Sequence, residues 1–277
     1  MSRVAAIDIG TNSTRLLVAD IDDGINDLLR RSTVTRLGEG VDAKRRLLPE
    51  PISRTRTVLA GYRRELEALG AERTLAVGTS AVRDAANGAA FLAEIAESFG
   101  FTTRVLTGDE EAMLTRRGVG AVDPRTLVVD IGGGSTELIQ AGDQTSLDVG
   151  SVRLTERFLH TDPPTQAEID RAAAYVRELL PALDVRAAIG VAGTVTQLRE
   201  LAGDLTAAVV ERELGRLAAM PLVERAAVPG MDPARAPVIV GGAVIVREIL
   251  RRYGLAELAW SKRDLLDGVA LEAAALP

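Results

Sequence analysis

Cysteine is absent from the 277 residues and histidine occurs once. The first absence excludes disulfides, thiolate metal sites and a cysteine nucleophile. The second leaves any Ser-His-Asp arrangement resting on His160 alone. That residue stands in FLHTDPPT, a loop pattern, and reads as a structural or surface histidine rather than a catalytic one. Aromatics make up only 3% of the chain, so the cores must be built from Ala, Val, Leu and Ile. Long apolar runs are missing too. The longest, APVIVGGAVIV (236–246), is too short to span a bilayer and lies between Arg235 and Arg247. A strand pattern begins almost at the first residue, leaving no room for a signal peptide. These absences predict a cytoplasmic protein with no membrane partner. Lysine is scarce as well, with Lys44 and Lys262 the only two among 33 basic residues. Base composition can explain that bias, and no chemistry follows from it.

What is present is ordinary in bulk, with 47% apolar and 26% charged residues, enough for one large domain or two medium ones. The net charge of −6 argues against a general nucleic-acid binder. The charge is nevertheless uneven. Residues 30–64 carry ten Lys/Arg against three Asp/Glu. Such a stretch is either a solvated face or an electropositive wall for an anionic ligand.

Along the first half, the pattern predicts strand VAAIDIG, a tight loop TNS, strand TRLLVADI, a turn at Asp22-Asp23-Gly24 and a third strand to about Leu37. A helix over 50–69, a strand over 74–80, a helix over 80–98, a strand over 103–108 and a helix over 109–118 follow. The second half restarts with strand TLVVDIG, loop GGS, strand TELIQAG and a short strand TSLDVG. Helices are then expected over 151–159 and 165–181, a strand over 187–193 and a helix over 194–202. Helical segments over 211–226 and 236–252, strand LAWS (258–261) and a last helix from about 263 complete the chain. Strand, loop, strand, strand, helix thus occurs twice. Two α/β halves related by duplication would flank a central cleft, a common ligand position.

The duplication is textual as well. Asp8 to Leu16 (DIGTNSTRL) and Asp130 to Leu138 (DIGGGSTEL) agree at six of nine positions, and Arg15 is exchanged for Glu137. Gly10 and the run Gly132, Gly133, Gly134 let backbone N–H groups approach a ligand, while Ser13, Thr14, Ser135 and Thr136 add hydroxyls. Each loop joins two strands, and neither a P-loop nor a GxGxxG fingerprint is present. A single glycine hairpin would be no more than a turn. Two copies, each preceded by Asp, point to phosphate held between two halves.

Further segments occur in order: LGEG (37–40), GTSAVRDAAN (78–87), TGDEEAMLTRRGVG (107–120) and GVAGTVTQL (190–198). With DIGGGSTE, they make the chain closely resemble the exopolyphosphatase and guanosine pentaphosphate phosphohydrolase family. That family lies within the sugar kinase, heat-shock ATPase and actin superfamily. The resemblance covers essentially the whole chain and implies duplicated actin-like, ribonuclease H-like domains. The expected division is residues 1–123, completed by a terminal helix over about 264–277, and residues 124–263. It looks like the short form, without the helical C-terminal extension of longer members.

The resemblance also implies roles. Glu111 would be the catalytic base, with Glu110 a second candidate and Glu137 near metal and water. Asp8, Asp130 and Glu137 would hold Mg²⁺ or another divalent cation. Gly10, Thr11, Asn12, Ser13, Arg15, Arg83, Gly132, Gly133, Gly134, Ser135, Thr136, Gly193 and Thr194 would contact phosphate, and the segment with Asn87 would border the site. Plainer readings stand beside these. Glu110 and Glu111 could simply favour a helix N-terminus, Asp8 and Asp130 could cap loop amides, and Arg83 could be a surface residue behind an N-cap. The implied activity is release of terminal orthophosphate from linear inorganic polyphosphate by metal-assisted attack of water. Guanosine pentaphosphate hydrolysis is the alternative, and an actin- or chaperone-like nucleotide-binding switch is an alternative of another class. A monovalent-ion requirement and a homodimer are left open.

Overall fold

The computed structural model describes residues 2–276. The chain folds as two compact units, Met1–Ala121 with Arg263–Pro277, and Val122–Lys262. In the first, strands β1 (Ser2–Ile9), β2 (Ser13–Ile21) and β3 (Ile25–Val34) form an antiparallel meander. The short α1 (Val41–Lys44) and the long α2 (Pro49–Ala68) follow, then β4 (Arg73–Gly78), α3 (Ser80–Asp84), α4 (Gly88–Phe99), β5 (Thr102–Val105) and α5 (Gly108–Val119). β4 pairs parallel to β1 and β5 parallel to β4, giving the order β3-β2-β1-β4-β5.

The second unit repeats this plan. It holds β6 (Thr126–Ile131), β7 (Thr136–Gln140), β8 (Asp143–Leu147), α6 (Ser151–Phe158), α7 (Gln166–Leu179), β9 (Ala187–Val191) and α8 (Ala192–Ala202). Then come β10 (Leu205–Thr206), α9 (Ala207–Ala218), α10 (Leu222–Ala226), α11 (Ile239–Tyr253) and β11 (Glu257–Trp260), before α12 (Leu265–Ala273) rejoins the first unit. The sheet order β10-β11-β9-β6-β7-β8, read from β8 to β11, is that of the first unit. Each unit is therefore an α/β domain built on the same sheet plan.

Strand periodicity sorts β1 between two cores. Ala5, Ile7 and Ile9 face the cluster that includes Leu59, Phe91 and Ile95, whereas Val4 and Ala6 face Leu114, Leu266 and Val269. Asp8 follows Ala6 on the second face, and Arg15 precedes Leu17 on it in β2. The site aspartate therefore emerges on the side covered by α5 and α12.

Two expectations about elements change, and two short elements were not expected. The helix over 80–98 is broken at 85–87, where Ala85 is extended and the Asn87 amide is spent on Leu47. Leu47 N–H donates to Asn87 Oδ1 at 2.8 Å, and Asn87 Nδ2 donates to Leu47 O at 3.1 Å. The Asn87-Gly88 dipeptide was the available turn signal. The helical segment over 211–226 starts earlier, at Ala207, and divides at Met220 and Pro221. α1 and β10 are too short for periodicity to reveal. Among the described residues, no helix is long and apolar enough to cross a membrane.

α12 seats on α5 at a backbone-to-backbone crossing. A Cβ on Gly268 would lie 1.9 Å from Leu114 O, and one on Gly118 would lie 2.0 Å from Asp264 O. Neither obstacle is a flexible side chain. Gly268→Ala is expected to destabilise by at least about 1–3 kcal/mol. Gly61→Ala, in the interior of α2 with nothing within 4 Å, is expected to stabilise by up to about 1 kcal/mol. Denaturant midpoints of the two variants against the parent check both signs.

Candidate active site

The two Asp-Ile-Gly loops are built alike. Gly10 N–H donates to Ser13 O at 3.0 Å and Gly132 N–H to Ser135 O at 3.1 Å. In the first loop, Thr11 O accepts from Gly38 N–H, and Asn12 O accepts from the N–H groups of Thr35 and Arg36. In the second, Gly132 O accepts from Ser151 N–H, and Gly133 O from the N–H groups of Val152 and Arg153. The loop carbonyls are thus committed to neighbouring segments. The N–H groups of Thr11, Asn12, Gly133 and Gly134 have no protein acceptor among the described residues. Donors left over while acceptors are consumed suit an anion.

The hydroxyls divide differently. Thr11 Oγ1 accepts from Ala81 N–H at 3.2 Å, fastening the loop to α3. Thr14 shares a hydrogen bond with Thr35, and Thr136 donates to Val149 O. Both threonines are fully buried and serve the hairpins first; Ser135, next to Thr136, is buried as well.

The exchanged charge sits across from the motif aspartate in both copies. Asp8 faces Arg15 in the β1–β2 register, and Asp130 faces Glu137 in the β6–β7 register. The first pair is an ion pair, with Arg15 Nε 2.8 Å from Asp8 Oδ2. Arg15 also reaches Asp264 Oδ2 through Nη1 at 2.5 Å. Its fork, expected to face phosphate, is engaged by two carboxylates. Asp8 is 5% exposed, and its Oδ1 is buried without a hydrogen-bond partner. Burial pushes the Asp8 carboxyl up, and Arg15 only partly offsets this by pulling it down. The second pair is two carboxylates. Glu137 is fully buried and accepts from Ser146 Oγ at 2.8 Å. Like charges directly opposite on a sheet repel, which a shared cation relieves.

The two candidate bases are separated by one residue and by environment. Thr107 caps α5, and Glu110 completes a capping box, accepting from Thr107 N–H at 2.8 Å while donating its own N–H to Thr107 Oγ1. These bonds hold the Glu110 carboxyl below its usual range. Glu111 is 7% exposed and pairs with Arg83, whose Nη1 lies 3.1 Å from Glu111 Oε2 and 2.8 Å from Leu106 O. Arg83 is thereby anchored at the end of β5 rather than displayed as a surface residue.

Gly193 and Thr194 lie in the first turn of α8. A Cβ on Gly193 would be 2.2 Å from Arg235 Nη1, so that guanidinium covers the turn. Thr194 is buried against Gly242. His160 is exposed, and its N–H donates to Glu168. Asp264, Ser146 and Arg235 escaped the sequence reading. Asp264 left one signal, the Asp-Leu-Leu-Asp capping pattern ahead of an apolar run, which does not disclose Arg15 as its partner.

The sequence profile of the Ppx/GppA phosphatase family matches residues 17–275. The chain belongs to the Ppx/GppA phosphatase family. Exopolyphosphatase 2 of Mycobacterium tuberculosis is 42% identical over 99% of both chains. The crystal structure of an exopolyphosphatase-like protein superposes with a TM-score of 0.91 at 33% identity, covering 98% of both chains. An exopolyphosphatase from Cytophaga hutchinsonii gives a TM-score of 0.90 at 26% identity, over 100% of this chain and 99% of that one. The fold of this Ppx/GppA member is thus that of solved relatives along nearly its whole length.

The environments of Glu110 and Glu111 predict different losses. Glu111→Gln is expected to lower turnover by about 10²–10⁴ while leaving the fold intact. Glu110→Gln should keep the capping box and cost only about 0.3–1 kcal/mol of stability through the lost charge in the first turn, with little loss of turnover. Steady-state phosphate release and thermal unfolding of both variants separate the two roles.

Proposed function

We propose that this protein is an exopolyphosphatase that removes terminal orthophosphate from linear inorganic polyphosphate. The observation that carries this reading is full-length similarity to a named exopolyphosphatase, at 42% identity. The site chemistry supports it. Water attacks the terminal phosphorus, Glu111 accepts the proton, and the bridging P–O bond breaks with the shortened chain as leaving group. Phosphoryl transfer needs mainly positioning and charge neutralisation. In each loop the free N–H groups, of Thr11 and Asn12 in the first unit and of Gly133 and Gly134 in the second, are suited to phosphoryl oxygens, and Arg83 orients Glu111.

The residues also fit a hard divalent cation such as Mg²⁺. Asp8 Oδ1 is buried and unpartnered, and Asp130 faces Glu137. Among the described residues no three His, Cys, Asp or Glu side chains gather as a metal site. A cation at either carboxylate position would complete its shell with water and substrate oxygens, as Mg²⁺ commonly does. When bound, it would neutralise charge developing on the phosphoryl oxygens.

One surface feature favours a long polyanion over guanosine pentaphosphate. Within the basic stretch, Arg31, Arg54, Arg56 and Arg63 pair with Glu65, Glu39 and Glu50, Glu94, and Glu67. Lys44, Arg45 and Arg46 are exposed and form no ion pair among the described residues. Their turn is pinned, with Arg45 in the left-handed region at φ 51° and its carbonyl accepting from Ala86 N–H at 2.9 Å.

Phosphate release measured on polyphosphate, guanosine pentaphosphate and ATP should be fastest on polyphosphate; preference for the guanosine nucleotide would overturn the substrate assignment. Reversing Arg45 and Arg46 to Glu should raise KM for long chains about tenfold and leave the shortest chains nearly unchanged. Equal effects on all lengths would reduce the triplet to solvated surface.

A further inference from the structure

We infer that Asp264, the N-cap of α12, is a positioning residue for the phosphatase reaction, acting through Arg15 to keep Asp8 open to a divalent cation. The inference rests on the proposed role of Asp8 as a cation-facing carboxylate and adds a residue whose capping motif gives no sign of this role.

Arg15 touches only one oxygen of Asp8. Its Nε and Nη2 both lie 2.8 Å from Asp8 Oδ2, while Nη1 is turned to Asp264 Oδ2 at 2.5 Å. A guanidinium beside a lone carboxylate engages both oxygens in a fork. Here the fork is split between two aspartates, and Asp8 Oδ1 is left buried with no protein partner. Its cost in the absence of a ligand is that of a desolvated anionic oxygen. A cation, or a water held by one, satisfies it.

Asp264 cannot drift away from Arg15 and release this arrangement. Its Oδ1 caps α12 by accepting from Leu266 N–H at 2.9 Å and lies 3.8 Å from Arg30 Nη1. Its own N–H donates to Asp267 Oδ2. Arg30 is held in turn by Asp27 and by Asp267, which is fully buried and also pairs with Arg263. Charges therefore alternate from Asp8 through Arg15, Asp264 and Arg30 to Asp267. The Asp8–Arg15–Asp264 group keeps one net negative charge at the end that meets the cation. Without the Asp264 charge the group is neutral, and Arg15 is free to close on both oxygens of Asp8.

Asp264→Asn isolates this role, because asparagine caps a helix as well as aspartate does. The probe is Mn²⁺, titrated into substrate-free protein by calorimetry, with the Mg²⁺ dependence of phosphate release measured in parallel. Mn²⁺ affinity is expected to fall about tenfold and half-saturating Mg²⁺ to rise by the same factor, with turnover at saturating Mg²⁺ kept within about threefold, since one unit charge is removed close to the cation. Arg15→Gln/Asp264→Asn should bind Mn²⁺ more tightly than Asp264→Asn alone, because no guanidinium remains to close on Asp8. Asp264→Ser, another capping residue, serves if the asparagine variant is unstable. Unchanged Mn²⁺ affinity in Asp264→Asn, or a double variant weaker than the single, would overturn the inference. Asp8→Asn with normal Mn²⁺ affinity would overturn the cation-facing role of Asp8 and this inference with it.

Discussion

The β1–β2 cross-strand position opposite the motif aspartate governs the first unit. Arg15 there binds Asp8 and, through Asp264, ties the hairpin to a helix from the other end of the chain. An ion pair this buried adds little net stability by itself, because desolvation offsets most of the attraction. Removing one member, by contrast, leaves an uncompensated charge. The pair is therefore better understood as a device that fixes geometry than as a source of stability. The close seating of α12 on α5, possible only with Gly118 and Gly268 at the crossing, delivers Asp264 to its place.

At the matching position of the second unit, glutamate replaces arginine and the logic inverts. Asp130 and Glu137 are two acids side by side in a buried strand pair. One copy of the motif holds its aspartate with a fixed protein cation, and the other has the composition to attract an exchangeable one. A duplicated loop has diverged by one charge, while the glycine-to-serine backbone bond that shapes it stays within 0.1 Å of the same length.

Much of this was legible in the sequence. The duplicated strand-loop-strand frame showed in the Asp-Ile-Gly repeat, and strand alternation together with the Asp22-Asp23-Gly24 turn located the meanders. Glu111 and Glu110 could be named as a pair, but their division of labour depends on which carboxylate completes the Thr107 cap. The break at 85–87 was harder, because Asn87 acts on Leu47, outside any local window. Asp264 was invisible for the same reason: nothing in a capping pattern reveals that its second oxygen meets Arg15. Sequence periodicity reports which face a residue occupies and is silent on which distant chain segment covers that face.

The discontinuity of the first unit bears on how the chain assembles. Residues 122–262 form a contiguous unit with its own core, and can close from their own contacts as they are synthesised. The first unit has no such independence. Leu265, Leu266, Val269, Ala270 and Ala273 fill the core behind β1, and they are made after the second unit. Until they arrive, that face of the first sheet is only partly covered, by Leu106 and Leu114, and Arg15 lacks Asp264. The first unit is therefore the later to mature, and its maturation and the arrival of Asp264 are the same event.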